Sequence, residues 1–300
     1  MIYSVRTNSR RRPLARFHAT AAAVIVGAGV AFAYVVTGGT VVWPGQAEAP
    51  SPGNAANTLS TTPTTTTPPP PPPPSAILPF NAKLVSQDIP VASGGVRTGA
   101  CSGSLIAPEW IITAGHCFHD INDVRVGGPP PYTMMVTVGK IKDTDLGGYT
   151  LQVVDVRQSP VSDLAVARLS APVTDIVPVT IASATPEVEQ QLQFAGWGSL
   201  SPTVRAPSDH LKRGQFSVSR VRQYTLEARS VGERTVENGP CPEDSGAPFF
   251  VSGDDRTGML VATEVSGPPC PQAGAEILAR VDVIATWIHE QTGNTSKSAP

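Results

Sequence analysis

The sequence predicts an all-β domain, on three observations. Short apolar or alternating runs recur at close intervals between Gly, Pro, Asp and Ser breaks. A single segment, near the end, has helical spacing instead. The residues after Ser75 are enough for one domain with a sizeable core, and all-β domains of this size are common.

The chain begins with a basic segment, residues 1–18, in which Arg6, Arg10, Arg11, Arg12 and Arg16 precede the first acidic residue, Glu48. The net charge of −2 therefore hides a more acidic remainder. With no basic stripe after residue 18, that remainder excludes nucleic acid as the partner, because phosphate binding needs clustered cations. Residues 19–43 form an uncharged, mostly apolar stretch directly after the arginines, which reads as an export signal. Its length also suits a retained membrane anchor, whereas Ala47-Glu48-Ala49 has the small-x-small form of a cleavage site. In both cases the arginines stay in the cytoplasm and the bulk of the chain emerges outside, secreted or tethered to the cell envelope. Any membrane contact would run through residues 19–43 alone. Residues 44–75, rich in Pro and Thr and ending in the prolines 68–74, cannot bury a core and read as a semi-rigid spacer.

The domain itself, residues 76–293, carries strand-like runs at Trp110–Ala114, Met134–Val138, Leu151–Val156, Leu164–Leu169, Leu192–Ala195, Phe216–Val218, Phe249–Val251, Met259–Val265 and Ile277–Val281. That spacing predicts a β-sandwich or barrel. From Asp282 to Gln291 the residues Ile284, Trp287 and Ile288 fall at helical spacing before Gly293, so a short amphipathic helix closes the domain. Residues 294–300 are a polar tail.

Four cysteines, Cys101, Cys117, Cys241 and Cys270, lie in the domain, and an even count in an exported chain reads as disulfides. Spacing alone leaves all three pairings open. A zinc site from Cys101, His116, Cys117 and His119 is the weaker reading, because adjacent His and Cys do not easily reach one tetrahedral metal.

Three segments carry candidate chemistry. In Thr113-Ala114-Gly115-His116-Cys117 a histidine ends an apolar strand, and imidazole takes and returns protons near neutrality. A lone histidine is more often structural than catalytic. Asp163 stands immediately before the apolar run Leu164–Leu169, where a carboxylate drawn inward needs a partner such as the His116 ring; in isolation it would be a turn-initiating residue. Ser245 lies in Cys241-Pro242-Glu243-Asp244-Ser245-Gly246-Ala247-Pro248, a tight loop whose small residues let backbone approach a substrate carbonyl. A serine hydroxyl is inert unless a base is in reach.

Together these segments resemble the trypsin and chymotrypsin serine protease family, of the bacterial exported type, in its chain order of His, Asp and Ser. The likeness runs from Cys101 through His116-Cys117, Asp163–Leu169, Gly196-Trp197-Gly198 and the Ser245 loop to Arg280-Val281 and Trp287-Ile288. It implies two six-stranded antiparallel Greek-key barrels with a C-terminal helix, and disulfides Cys101 to Cys117 and Cys241 to Cys270. It implies a catalytic triad of His116, Asp163 and Ser245 and an oxyanion hole from the backbone N–H groups of Glu243 and Ser245. It further implies peptide-bond hydrolysis with no metal or cofactor, protein or peptide substrates, and a monomer.

Three departures from the family pattern matter. Glu243 stands where the loop normally has glycine, which predicts a slow or selective enzyme and repulsion of acidic substrates. The specificity pocket, expected from Gly239, Val265, Ser266 and Gly267, has no carboxylate at Gly239, so cleavage after Arg or Lys is not expected, although Glu264 nearby can reintroduce charge. No Ile-Val-Gly-Gly occurs between Ser75 and Cys101, so Asp244 needs another cation or hydrogen-bond set, or a cut before Ile77 or Leu84. A weak or inactive binding or adhesion protein of the cell envelope is the alternative reading.

Overall fold

The structure, a computed structural model, describes residues 72–293. The basic segment, the apolar stretch 19–43, residues 44–71 and the tail 294–300 lie outside the described residues. Among the described residues no helix is long and apolar enough to cross a membrane.

Two six-stranded antiparallel barrels and one short helix account for the regular structure. In the first barrel β1 (Asn81–Pro90), β2 (Val96–Ala107), β3 (Trp110–Ala114), β4 (Met135–Val138), β5 (Tyr149–Gln158) and β6 (Leu164–Leu169) follow the order β1-β2-β3-β6-β5-β4, and β4 pairs back to β1. A two-residue strand β7 (Thr180–Ile181) lies on the connection to the second barrel and runs parallel to β12 (Met259–Ser266). The second barrel comprises β8 (Gln191–Gly196), β9 (Lys212–Val221), β10 (Thr225–Ser230), β11 (Pro248–Val251), β12 and β13 (Ala275–Arg280) in the order β11-β8-β9-β10-β13-β12, closed by β11 against β12.

Each barrel is filled by its own inward-facing side chains. In the first, Leu84, Leu105, Ile111, Ile112 and Val166 are fully buried. In the second, Phe194, Phe216 and Phe249 pack edge to face or tilted with ring centroids 4.9–6.0 Å apart, the geometry aromatic quadrupoles favour. Burial of side chains this size stabilises by about 1.5–3 kcal/mol each. Phe80 of the N-terminal segment packs on Phe250 of β11 at 5.3 Å, joining the two barrels.

The closing helix begins as a single 3-10 turn, Asp282–Ile284, continued by α1 (Ala285–Thr292). Gly293, at φ 68°, caps it by donating its backbone N–H to the His289 carbonyl, the left-handed stop that glycine permits. The segment leading into β1 is tied to the rest of the domain. Ser75 donates its N–H to the Gly139 carbonyl at 2.7 Å, and Leu78 to Asp255 at 2.6 Å, with Leu78 and Phe80 fully buried.

Candidate active site

The strand β3 ends at Ala114 and turns at once into a single 3-10 turn, Gly115–Cys117, which carries His116. Glycine at 115 leaves room for the side-chain ends of Gln158, Arg125 and Asp163, which an added Cβ would approach to 2.6–2.8 Å. Cys117 ties the turn to Cys101 on β2 by a disulfide, so neither sulfur is free to hold a metal. Asp163, just before β6, spends both carboxylate oxygens on the histidine: Oδ1 accepts the His116 backbone N–H at 2.9 Å and Oδ2 faces Nδ1 at 2.7 Å. A carboxylate only accepts there, which assigns a proton to Nδ1. Burial works to raise the Asp163 pKa, but the hydrogen bonds and charge of His116, with Arg125 beyond them, outweigh it and hold the carboxyl below its ordinary value.

Ser245 lines the same cavity as His116, about 130 Å³ in volume, together with Glu243, Cys101 and Cys117. No hydrogen bond joins the Ser245 hydroxyl to His116 among the described residues; such bonds are often loose before substrate binds. The loop around Ser245 is fixed on several sides. Its carbonyl accepts from Ser102 on β2 at 2.9 Å, Asp244 donates its N–H to Cys241 at 3.0 Å, and Cys241 is disulfide-bonded to Cys270. Gly246 has φ 83°, and an added Cβ would run into Thr113 and Ser102. The backbone N–H groups of Glu243 and Ser245 have no acceptor among the described residues, which leaves both open to a ligand. Glu243 has φ 75°, a left-handed conformation costly for a residue with a Cβ, and its Oε2 accepts the Ala100 N–H of β2 at 2.6 Å. It shares the cavity with Arg97, His119 and Arg205, so the repulsion of acidic substrates expected of it meets two guanidinium groups.

Asp244 points away from the cavity into the interior. Its Oδ2 meets Lys212 Nζ of β9 at 2.5 Å, with both side chains fully buried, and its Oδ1 accepts the Gly198 N–H at 2.7 Å. Added Cβ atoms at Gly196 and Gly198 would both collide with this carboxylate, which explains the two glycines around Trp197.

A family model described as Trypsin matches residues 85–288, a span that includes every segment just described. The chain belongs to the trypsin family. Kallikrein 1-related peptidase b16 of Mus musculus is 27% identical over 236 residues, covering 70% of this chain and 87% of the relative. Brachyurin of Leptuca pugilator is 29% identical over 65% of this chain and 88% of its own length. Snake venom serine proteinase 11 of Crotalus adamanteus is 28% identical over 70% and 84%. These relatives are animal proteins, not bacterial ones. In fold the chain is similar to the solved structure of neuropsin, a serine protease expressed in the limbic system of mouse brain, at TM-score 0.55 and 19% identity over 72% of this chain and 95% of that one. The activity class that goes with this membership is serine-type endopeptidase.

In this trypsin-family chain a second cavity, about 310 Å³, opens beside Ser245 and is lined by Val265, Ser266 and Gly267 among others. Gly239 is buried but does not line it; the Arg234 side chain lies where its Cβ would be. Two buried carboxylates, Glu264 and Glu276, do line it, and Arg234 pairs with Glu276. Burial, the nearby Glu276 and then Asp244 push the Glu264 pKa well above its ordinary value. Burial pushes Glu276 up to about 7 against the pull of Arg234. Sequence reasoning missed Glu276 and Lys212, since each stands in a strand with other charged residues, Arg280 in β13 and Arg213 and Arg220 in β9. The offset of Glu276 six residues past Cys270 is the only signal either had.

Proposed function

We propose that the chain is an exported serine endopeptidase working through an acyl-enzyme on Ser245. His116 Nε2 takes the Ser245 hydroxyl proton as Oγ attacks the scissile carbonyl carbon, and Asp163 holds the ring and balances its charge. The N–H groups of Glu243 and Ser245 receive the oxyanion. His116 then passes its proton to the leaving amine, and water attacks the acyl group by the same route, releasing the acid and restoring Ser245. The observation that carries this reading is the double engagement of His116 by Asp163 in the cavity that Ser245 shares. The second cavity supports an uncharged residue before the cut, because Arg234 pairs with Glu276 and burial disfavours the charged form of Glu264.

One feature favours the alternative of a weak enzyme retained for binding: the strained, tethered Glu243 at an oxyanion donor. Reaction with a fluorophosphonate decides between them. Ser245 is expected to label, Ser245→Ala not to, and the labelled enzyme to prefer peptides with uncharged residues over Arg before the cut. Equal labelling of wild type and variant would sink the proposal, and a strong preference for Arg would sink its specificity.

A further inference from the structure

The buried ion pair beside Ser245 answers what holds this loop in a chain with no Ile-Val-Gly-Gly between Ser75 and Cys101. Lys212 Nζ reaches three acceptors, Asp244 Oδ2 at 2.5 Å, the Gly239 carbonyl at 3.1 Å and the Ser199 carbonyl at 3.4 Å. Asp244 is equally satisfied, with Gly198 donating to Oδ1 at 2.7 Å and Cys241 to Oδ2 at 2.9 Å. Breaking a buried pair leaves an uncompensated charge, so each partner fixes the other. Asp244 lies between the two residues whose N–H groups face no internal acceptor, and its inward pull orients the backbone on both sides of it.

No cut is prepared at the other end of the chain. Leu84 sits inside β1, paired to Cys101 on one side and Val136 on the other, so cleavage before it would break the barrel. A cut before Ile77 would free a terminus whose next residue, Leu78, is fully buried and bonded to Asp255.

We propose that Lys212 is a positioning residue, the built-in counter-ion that holds the Ser245 loop reactive, so that the chain acts without any cut between Ser75 and Cys101. This rests on the triad reading given above.

The test uses the full chain and a fluorophosphonate, with intact mass of the labelled product and limited nicking of the 75–101 segment as a comparison. Intact protein is expected to label, and nicking to add nothing. Labelling that appears only after nicking overturns the inference while leaving the triad reading standing. No labelling of folded protein in either state overturns both. Lys212→Met, assayed well below its melting temperature, is expected to label about 10²-fold more slowly, the loss that follows when an oxyanion donor is misaimed. The double variant Lys212→Met with Asp244→Asn removes both charges, and is expected to recover melting temperature without recovering the labelling rate. A merely structural pair would restore both, and wild-type labelling by either folded variant overturns the proposal.

Discussion

At Glu243 two local effects oppose each other. The left-handed backbone at φ 75° costs about 1–2 kcal/mol for a residue with a Cβ, while its carboxylate gains a charge-assisted bond from Ala100 that ties the loop to β2. Glu243→Gly removes both the strain and the tether. Because the cost falls on a proposed oxyanion donor, the variant is expected to label and turn over faster and to accept a wider range of residues after the cut. Unchanged rate and selectivity in a peptide assay would contradict this. The sequence made Glu243 conspicuous because it broke a dense motif. Lys212 broke nothing: in the stretch from His210 to Val218 it is one more polar residue, and only the fold reveals that its ammonium is buried against Asp244.

Among the elements, legibility followed apolar content. The runs at Trp110–Ala114 and Leu164–Leu169 match β3 and β6 residue for residue, because these strands are buried along most of their length. The strand β10 escaped notice since only Leu226 and Ala228 alternate inward among Thr, Glu, Arg and Ser. For β1, β2 and β7 the reasons are similar; β1 and β2 mix in polar and small residues and β7 is two residues long. The turn after β8 shows how an element serves the site. Gly196 and Gly198 leave room for the Asp244 carboxylate, and Gly198 also donates to it. Gly198→Ala forces that carboxylate and its loop outward. The expected result is a fold destabilised by about 1–3 kcal/mol, as overpacking gives, and labelling of Ser245 slowed about 10²-fold. Thermal melts and labelling kinetics on the same sample check both.

For the whole molecule, the half-buried Asp163 and the buried Glu264 and Glu276 set opposite pH slopes. Asp163 has its folded pKa lowered, so its contribution is present at neutral pH and is lost as pH falls through the acid range. Glu264 and Glu276 have theirs raised. Their contribution is full below the ordinary 4.5 and is lost as pH rises above it, through about 7 for Glu276. Melting temperature is therefore expected to decline as pH climbs from about 5 to about 7.5, where folded protein binds more protons than unfolded chain. Glu264→Gln, which keeps the shape of the protonated side chain, is expected to flatten that decline. A decline of wild-type steepness in the variant would show that other groups cause it. The two-barrel architecture itself came from the resemblance; strand spacing alone reached only a sandwich or barrel.

Closure of both barrels has a consequence for how the protein behaves in company. Every strand of the first barrel has a neighbour on each side, and the second barrel closes by β11 against β12, with β7 covering part of β12 on its other side. Exposed sheet edges are where proteins recruit foreign strands and aggregate. A protein built this way offers few such edges, so at high concentration it presents little for a foreign strand to join.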